Sequence, residues 1–107
     1  MSLADKANED SAAWLTVSFF DPDGDPEAPD SVSYRVDCLT TGNAIRAETS
    51  VSPASEIEIV MEASDNAIQD QTNDVERRLV TVVATDSEGR TQKSAFVYVV
   101  RNLRKVT

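Results

Sequence analysis

Residues 78–100 read RLVTVVATDSEGRTQKSAFVYVV, two runs of β-branched and aromatic residues on either side of a polar turn. In the first run Val80, Val82 and Ala84 alternate with Leu79 and Val83; in the second Phe96, Tyr98 and Val100 alternate with Ala95, Val97 and Val99. Alternation with a period of two residues marks β-strands. Between the runs, Asp86-Ser-Glu-Gly89 puts glycine where a hairpin needs a left-handed residue. Both runs are apolar on both faces, whereas an antiparallel strand usually shows one face to water. Two readings stay open: Val, Thr and Tyr are present for strand propensity alone, or something covers the second face.

The same period recurs upstream. Trp14 to Phe20 places Leu15, Val17 and Phe19 on one side. Val32 to Leu39 sets Val32, Tyr34, Val36 and Cys38 against Ser33, Arg35 and Asp37. Ile45 to Val51 alternates until Pro53 stops it, as suits an edge strand, and Glu56 to Glu62 sets Ile57, Ile59 and Met61 against Glu56 and Glu58. Turns follow from Pro22, Gly24, Pro26 and Pro29 in 21–30, and from Gly42-Asn43. Residues 64–76 form a long polar connection in which Asp65-Asn66 suits a short helical turn. No run has helical periodicity. The expected fold is all-β: an antiparallel β-sandwich of about seven strands. Residues 1–12 form an arm, a helical turn or a weak first strand, residues 13–103 the sandwich domain, and residues 104–107 a basic tail.

At 107 residues the chain has the length of one domain, with enough core to need neither metal nor disulfide. A single cysteine, Cys38, excludes an internal disulfide and, on the apolar side of a strand, reads as a packed small hydrophobe. The N-terminus lacks the basic start and apolar core of a signal peptide, and no apolar run reaches the ~18 residues of a membrane span. Synthesis in the cytoplasm, without contact to membrane, is the expectation. A net charge of −9 disfavours nucleic acid as a partner. The charge is uneven: residues 1–76 carry 17 acids and 3 bases, residues 77–107 carry 2 acids and 7 bases. A solvated surface explains this, as does electrostatic pairing between copies.

Enzyme chemistry finds few parts. Without histidine no His-based triad or general base can be built, and no phosphate-binding glycine pattern occurs. No catalytic residue and no small-molecule substrate are expected. One loop invites a ligand: Asp21, Asp23, Asp25, Glu27 and Asp30 lie within ten residues with no base among them. Calcium takes 6–8 oxygen ligands, so this stretch reads either as a calcium site or as a solvated acidic turn; the spacing is not that of an EF-hand. No other cofactor is expected.

The run 80–89 followed by Phe96-Val-Tyr-Val-Val100 resembles the last hairpin of fibronectin-III and other immunoglobulin-like modules, as does Tyr34-Arg-Val36 after a Pro-containing loop. The tyrosine that such modules carry near the start of the sixth strand is absent, with Leu79 roughly in its place. Phe20-Asp-Pro-Asp-Gly24, residues 29–37, Thr40-Thr-Gly42, Asn66-Ala-Ile68, Glu76-Arg-Arg78 and Val100-Arg-Asn-Leu103, in that order, resemble small single-domain proteins of tailed bacteriophages and prophages. That resemblance implies a bacterial cytoplasmic origin and a structural or assembly role in a virion. Its partners would be other virion proteins or further copies of the chain. Arg78, Phe96, Tyr98, Arg101, Arg104 and Lys105 are the expected contact residues. Two alternatives stand beside it: a calcium- or carbohydrate-binding adhesion module, and an acidic regulator or inhibitor that mimics nucleic acid.

Overall fold

Among the described residues the alternating runs become eight strands: β1 (Ser2–Leu3), β2 (Lys6–Asn8), β3 (Ala13–Ser18), β4 (Ser31–Cys38), β5 (Ala44–Val51), β6 (Glu56–Met61), β7 (Val75–Thr85) and β8 (Thr91–Arg101). The computed structural model describes the backbone of residues 2–3 and 6–8 and the whole of residues 10–103. The strands form two sheets, ordered β1-β3-β6 and β2-β8-β7-β4-β5. All pairings are antiparallel except β2 with β8, which is parallel. The all-β expectation holds, with the two sheets layered as a β-sandwich. Residues from 1–12 supply two short strands, one to each sheet. Asp10, at φ 55°, takes a left-handed conformation that Asp tolerates better than most residues, where the chain leaves β2 for β3.

The inward side chains are those that the alternation selects. Ala13, Leu15 and Val17 of β3 and Ile57, Ile59 and Met61 of β6 meet Val32, Tyr34, Val36, Val80, Val82, Ala84, Tyr98 and Val100 of the larger sheet in one core. β7 and β8 are longer than expected, beginning at Val75 and Thr91 rather than at 78 and 94, while β3 ends at Ser18, before Phe20. The hairpin closes as its sequence requires: Asp86 N–H donates to the Arg90 carbonyl at 3.0 Å, and Gly89 sits at φ 81°.

Two expected contact residues are placed inside instead. Arg78 and Tyr98 are 0% exposed, because even-numbered positions of both strands face the core. They anchor the long connection 62–74 across one end of the sandwich. Glu76, also fully buried, receives four donors on two oxygens: Gln69 N–H at 2.8 Å and Arg78 Nη1 at 3.1 Å on Oε1, Asp70 N–H at 2.9 Å and Asn73 Nδ2 at 3.0 Å on Oε2. Arg78 also donates to the Ala67 carbonyl at 2.8 Å and to Cys38 Sγ at 3.0 Å, while its Nε has no partner among the described residues. Burial pushes the Glu76 carboxyl up, but the Gln69 N–H, the Asn73 amide, the Asp70 N–H and Arg78 together outweigh it and hold the group below its ordinary value.

A second set of bonds secures the same end. Tyr98 Oη donates to Asn66 Oδ1 at 2.7 Å, and Asn66 Nδ2 donates to the Ser11 carbonyl at 2.6 Å. Arg46 bridges to Asp65 at 2.6 Å, whose carboxylate also accepts the Glu62 N–H at the short 3-10 turn Ala63–Asn66. The helical turn expected at Asp65-Asn66 is therefore present. Its polar groups point inward, since a connection crossing a core must find partners for its backbone.

Candidate interaction surfaces

With the even positions of β7 and β8 committed to the core, their odd positions make the outer face of the five-stranded sheet. The register sets Leu79 opposite Val97, Thr81 opposite Ala95, Arg77 opposite Val99 and Val75 opposite Arg101. Val97 is 41% exposed, and Ala95 and Val75 are exposed beside the half-buried Leu79 and Val99. The result is an apolar stripe along the hairpin. Around it stand Arg77, Lys93 and Arg101, none with an ion-pair partner among the described residues. Farther across the sheet Arg35 is neutralised by Asp37 at 2.8 Å, and Glu48 on β5 accepts from Ser33 Oγ at 2.9 Å.

The outer face of the three-stranded sheet differs in sign. Trp14 pairs across strands with Val60, Thr16 with Glu58 and Ser18 with Glu56. Trp14 is 56% exposed and Val60 38%, so two large apolar groups lie together in water beside two exposed acids. Neither Glu56 nor Glu58 has an ion-pair partner among the described residues. A cross-strand apolar pair stabilises a sheet by roughly 0.2–1 kcal/mol, which leaves its exposed faces available for a contact.

The acidic loop 21–30 is held differently from a metal site. Asp21 Oδ1 accepts the N–H groups of Asp23 and Asp25, both at 2.9 Å, and the Asp21 N–H reaches the Asp25 carbonyl at 2.8 Å. The first carboxylate is thus spent on closing its own turn. Asp23, Asp25, Glu27 and Asp30 do not gather with it: among the described residues no three acids, cysteines or histidines converge as metal ligands. The loop and the 86–90 turn instead border an open groove of about 410 Å³, lined by Phe19, Phe20, Pro22, Pro29, Ala84 and Arg90 among others. Phe20 stands 61% exposed at its side. Next to the groove, β2 pairs only with Val99, Val100 and Arg101 of β8. Residues 91–98 therefore have no strand on that side among the described residues, and Lys93, Ser94 and Gln92 make this edge polar, as edges commonly are.

Of the expected contact residues, Arg101 lies half-buried at one end of the basic face. Phe96 faces inward and packs half-buried against the core, and Arg78 and Tyr98 are interior. Arg104 and Lys105 lie outside the described residues. Sequence reasoning missed Leu79, Val97 and Val99 as the outward-facing set, although counting outward from the hairpin turn pairs Leu79 with Val97. Trp14 and Val60 had no such signal, because no turn joins their strands. No family model, curated protein or solved structure matches the chain.

Proposed function

We propose that the chain is a non-enzymatic structural or assembly module of tailed-phage virions, an immunoglobulin-like or fibronectin-III-like sandwich that works by protein–protein contact. The observation that carries this reading is the outer face of β7 and β8, an apolar stripe of Val75, Leu79, Ala95, Val97 and Val99 rimmed by Arg77, Lys93 and Arg101. Contact patches combine an apolar centre with a polar or charged rim. Support for the fold type comes from the strand order. The N-terminal segment pairs first with β3 and then switches to lie parallel to β8, closing the sandwich on the side where its last strand would otherwise be bare. The role of the corner tyrosine, absent here, falls to Glu76, which draws the 69–70 backbone onto the start of β7.

The chemistry of the exposed groups fits a binding role better than a reaction. Glu76, the carboxylate with a lowered pKa among the buried described residues, is enclosed by its own donors and is 0% exposed. Mass spectrometry of tailed particles, purified by density gradient from a lysate of the producing bacterium, tests the role. A constant ratio of this chain to the main tail or capsid protein is the expected result. Its absence from particles and from every assembly intermediate would overturn the proposal.

A further inference from the structure

We infer that copies of this chain stack front to back, the acidic face of the three-stranded sheet of one copy lying on the basic face of the five-stranded sheet of the next. The inference deepens the proposed assembly role and rests on it for its biological meaning, but not for its physical test.

Three features of the two faces match. Each has an outward cross-strand apolar pair, the exposed Trp14/Val60 on one side and the exposed Val97 with the half-buried Leu79 on the other. Beside these pairs stand charges with no ion-pair partner among the described residues, Glu56 and Glu58 on one face and Arg77, Lys93 and Arg101 along the β7–β8 hairpin of the other, where Glu48 on the far strand β5 is the opposite charge. The spacing agrees as well. Glu58 is two residues along its strand from Val60 and Glu56 is four; Arg77 is two residues from Leu79 and Arg101 is four from Val97. At about 3.3 Å per strand residue, both charges then sit roughly 7 and 13 Å from their apolar pair. Placing Trp14/Val60 over Leu79/Val97 with the two acids running the same way as Arg77 and Arg101 brings Glu58 level with Arg77 and Glu56 level with Arg101 along the strands; both acids are on β6 and the arginines on neighbouring strands, so one of the two pairs is offset sideways by about 4.8 Å. Run the opposite way, only Glu56 and Lys93 are level. The first arrangement is the one assigned here.

Such a contact is heterologous: each copy spends a different patch, so each added copy leaves one free face of each kind. β3 and β6, six residues each and about 4.8 Å apart, give a patch near 10 × 20 Å, below the area of a stable specific interface, so the contact is a weak, transient one. Association is therefore expected to depend on concentration and to weaken with salt, because exposed charges set its orientation.

Sedimentation velocity and light scattering from 10 µM to 1 mM, at low and at high salt, read the self-association. Trp14→Lys blocks the front and Val97→Lys blocks the back; both sites are exposed, and thermal melts check that each variant folds. Each variant alone should be monomeric, and their equimolar mixture should form a dimer that grows no further. Glu58→Arg and Arg77→Glu should each weaken stacking at least tenfold, while the double variant regains it. A wild type that stays monomeric at 1 mM and low salt would overturn the inference, as would a mixture of blocked variants that does not dimerise. Assembly that persists in Trp14→Lys would also overturn it, by pointing to a symmetric contact between like faces. These outcomes leave the particle composition measured above untouched, so the failure of one does not imply the failure of the other.

Discussion

Replacing Glu76 by Gln tests the buried network that ties the 62–74 connection to β7. Four donors converge on its two oxygens. An amide keeps one oxygen and turns an NH2 group toward two of those donors. It also leaves Arg78, fully buried, without a countercharge, its remaining acceptors being the neutral Ala67 carbonyl, Cys38 Sγ and at best the amide oxygen. Removing one partner of a buried ion pair costs about 3–5 kcal/mol, since the other charge stays uncompensated. For a chain of this length that corresponds to a fall in Tm of about 12–20 °C, at roughly 4 °C per kcal/mol.

Arg78→Met should cost less, about 1–3 kcal/mol, the range for stranding a buried hydrogen-bonding group: Glu76 keeps three other donors, and the unpartnered Nε is removed with the charge. The double variant should be more stable than Glu76→Gln alone, a coupling that a double-mutant cycle isolates. Urea unfolding followed by far-ultraviolet circular dichroism measures all three. If Arg78→Met proved the more damaging single change, or if the two costs simply added, the reasoning from the donor count would be refuted.

Three further outcomes follow from the same geometry. Folding holds Glu76 below its ordinary value of 4.5, so the unfolded chain binds more protons just below that pH. Stability should be complete above about 4.5 and fall as pH drops through the lower folded value; acid titration of the urea midpoint should show this fall, with a smaller slope in Glu76→Gln. Tyr98→Phe strands the buried Asn66 Oδ1, at a cost of about 1–3 kcal/mol with little change in the m-value, read by the same denaturation. Adding 5 mM calcium after chelation should move Tm by less than about 1 °C, because a ligand stabilises only a fold that offers it a site; a rise of several degrees would mean that the 21–30 carboxylates do gather around the ion.

Much of the fold was legible because strand periodicity is local. Alternation in 32–38 and 57–61 selected the inward residues correctly, and Asp86-Ser-Glu-Gly89 identified the last hairpin. The contact residues were harder for the same reason. Alternation divides a strand into two sides without saying which is inner when both are apolar, as in β7 and β8. Arg78 and Tyr98 were expected as contacts with nothing in the sequence to fix the outer side; their strands present even positions to the core, and partners from distant loops make their burial tolerable. The loop 21–30 read by its composition as a calcium site or an acidic turn; only the structure shows that Asp21 Oδ1 closes the turn by accepting the Asp23 and Asp25 N–H groups.

The sequence by itself determined the β class, the chief turns, most of the core and the lack of histidine-based chemistry, all properties of residue type and short-range order. Only the tertiary structure decided which side of the last hairpin meets water, and that Glu76 and Arg78 belong to the interior. It also set Trp14 beside Val60, on a face opposite in charge to that of Leu79 and Val97. Those facts depend on pairings between strands far apart in the chain, which no local pattern encodes because the partners are chosen by how two whole sheets pack.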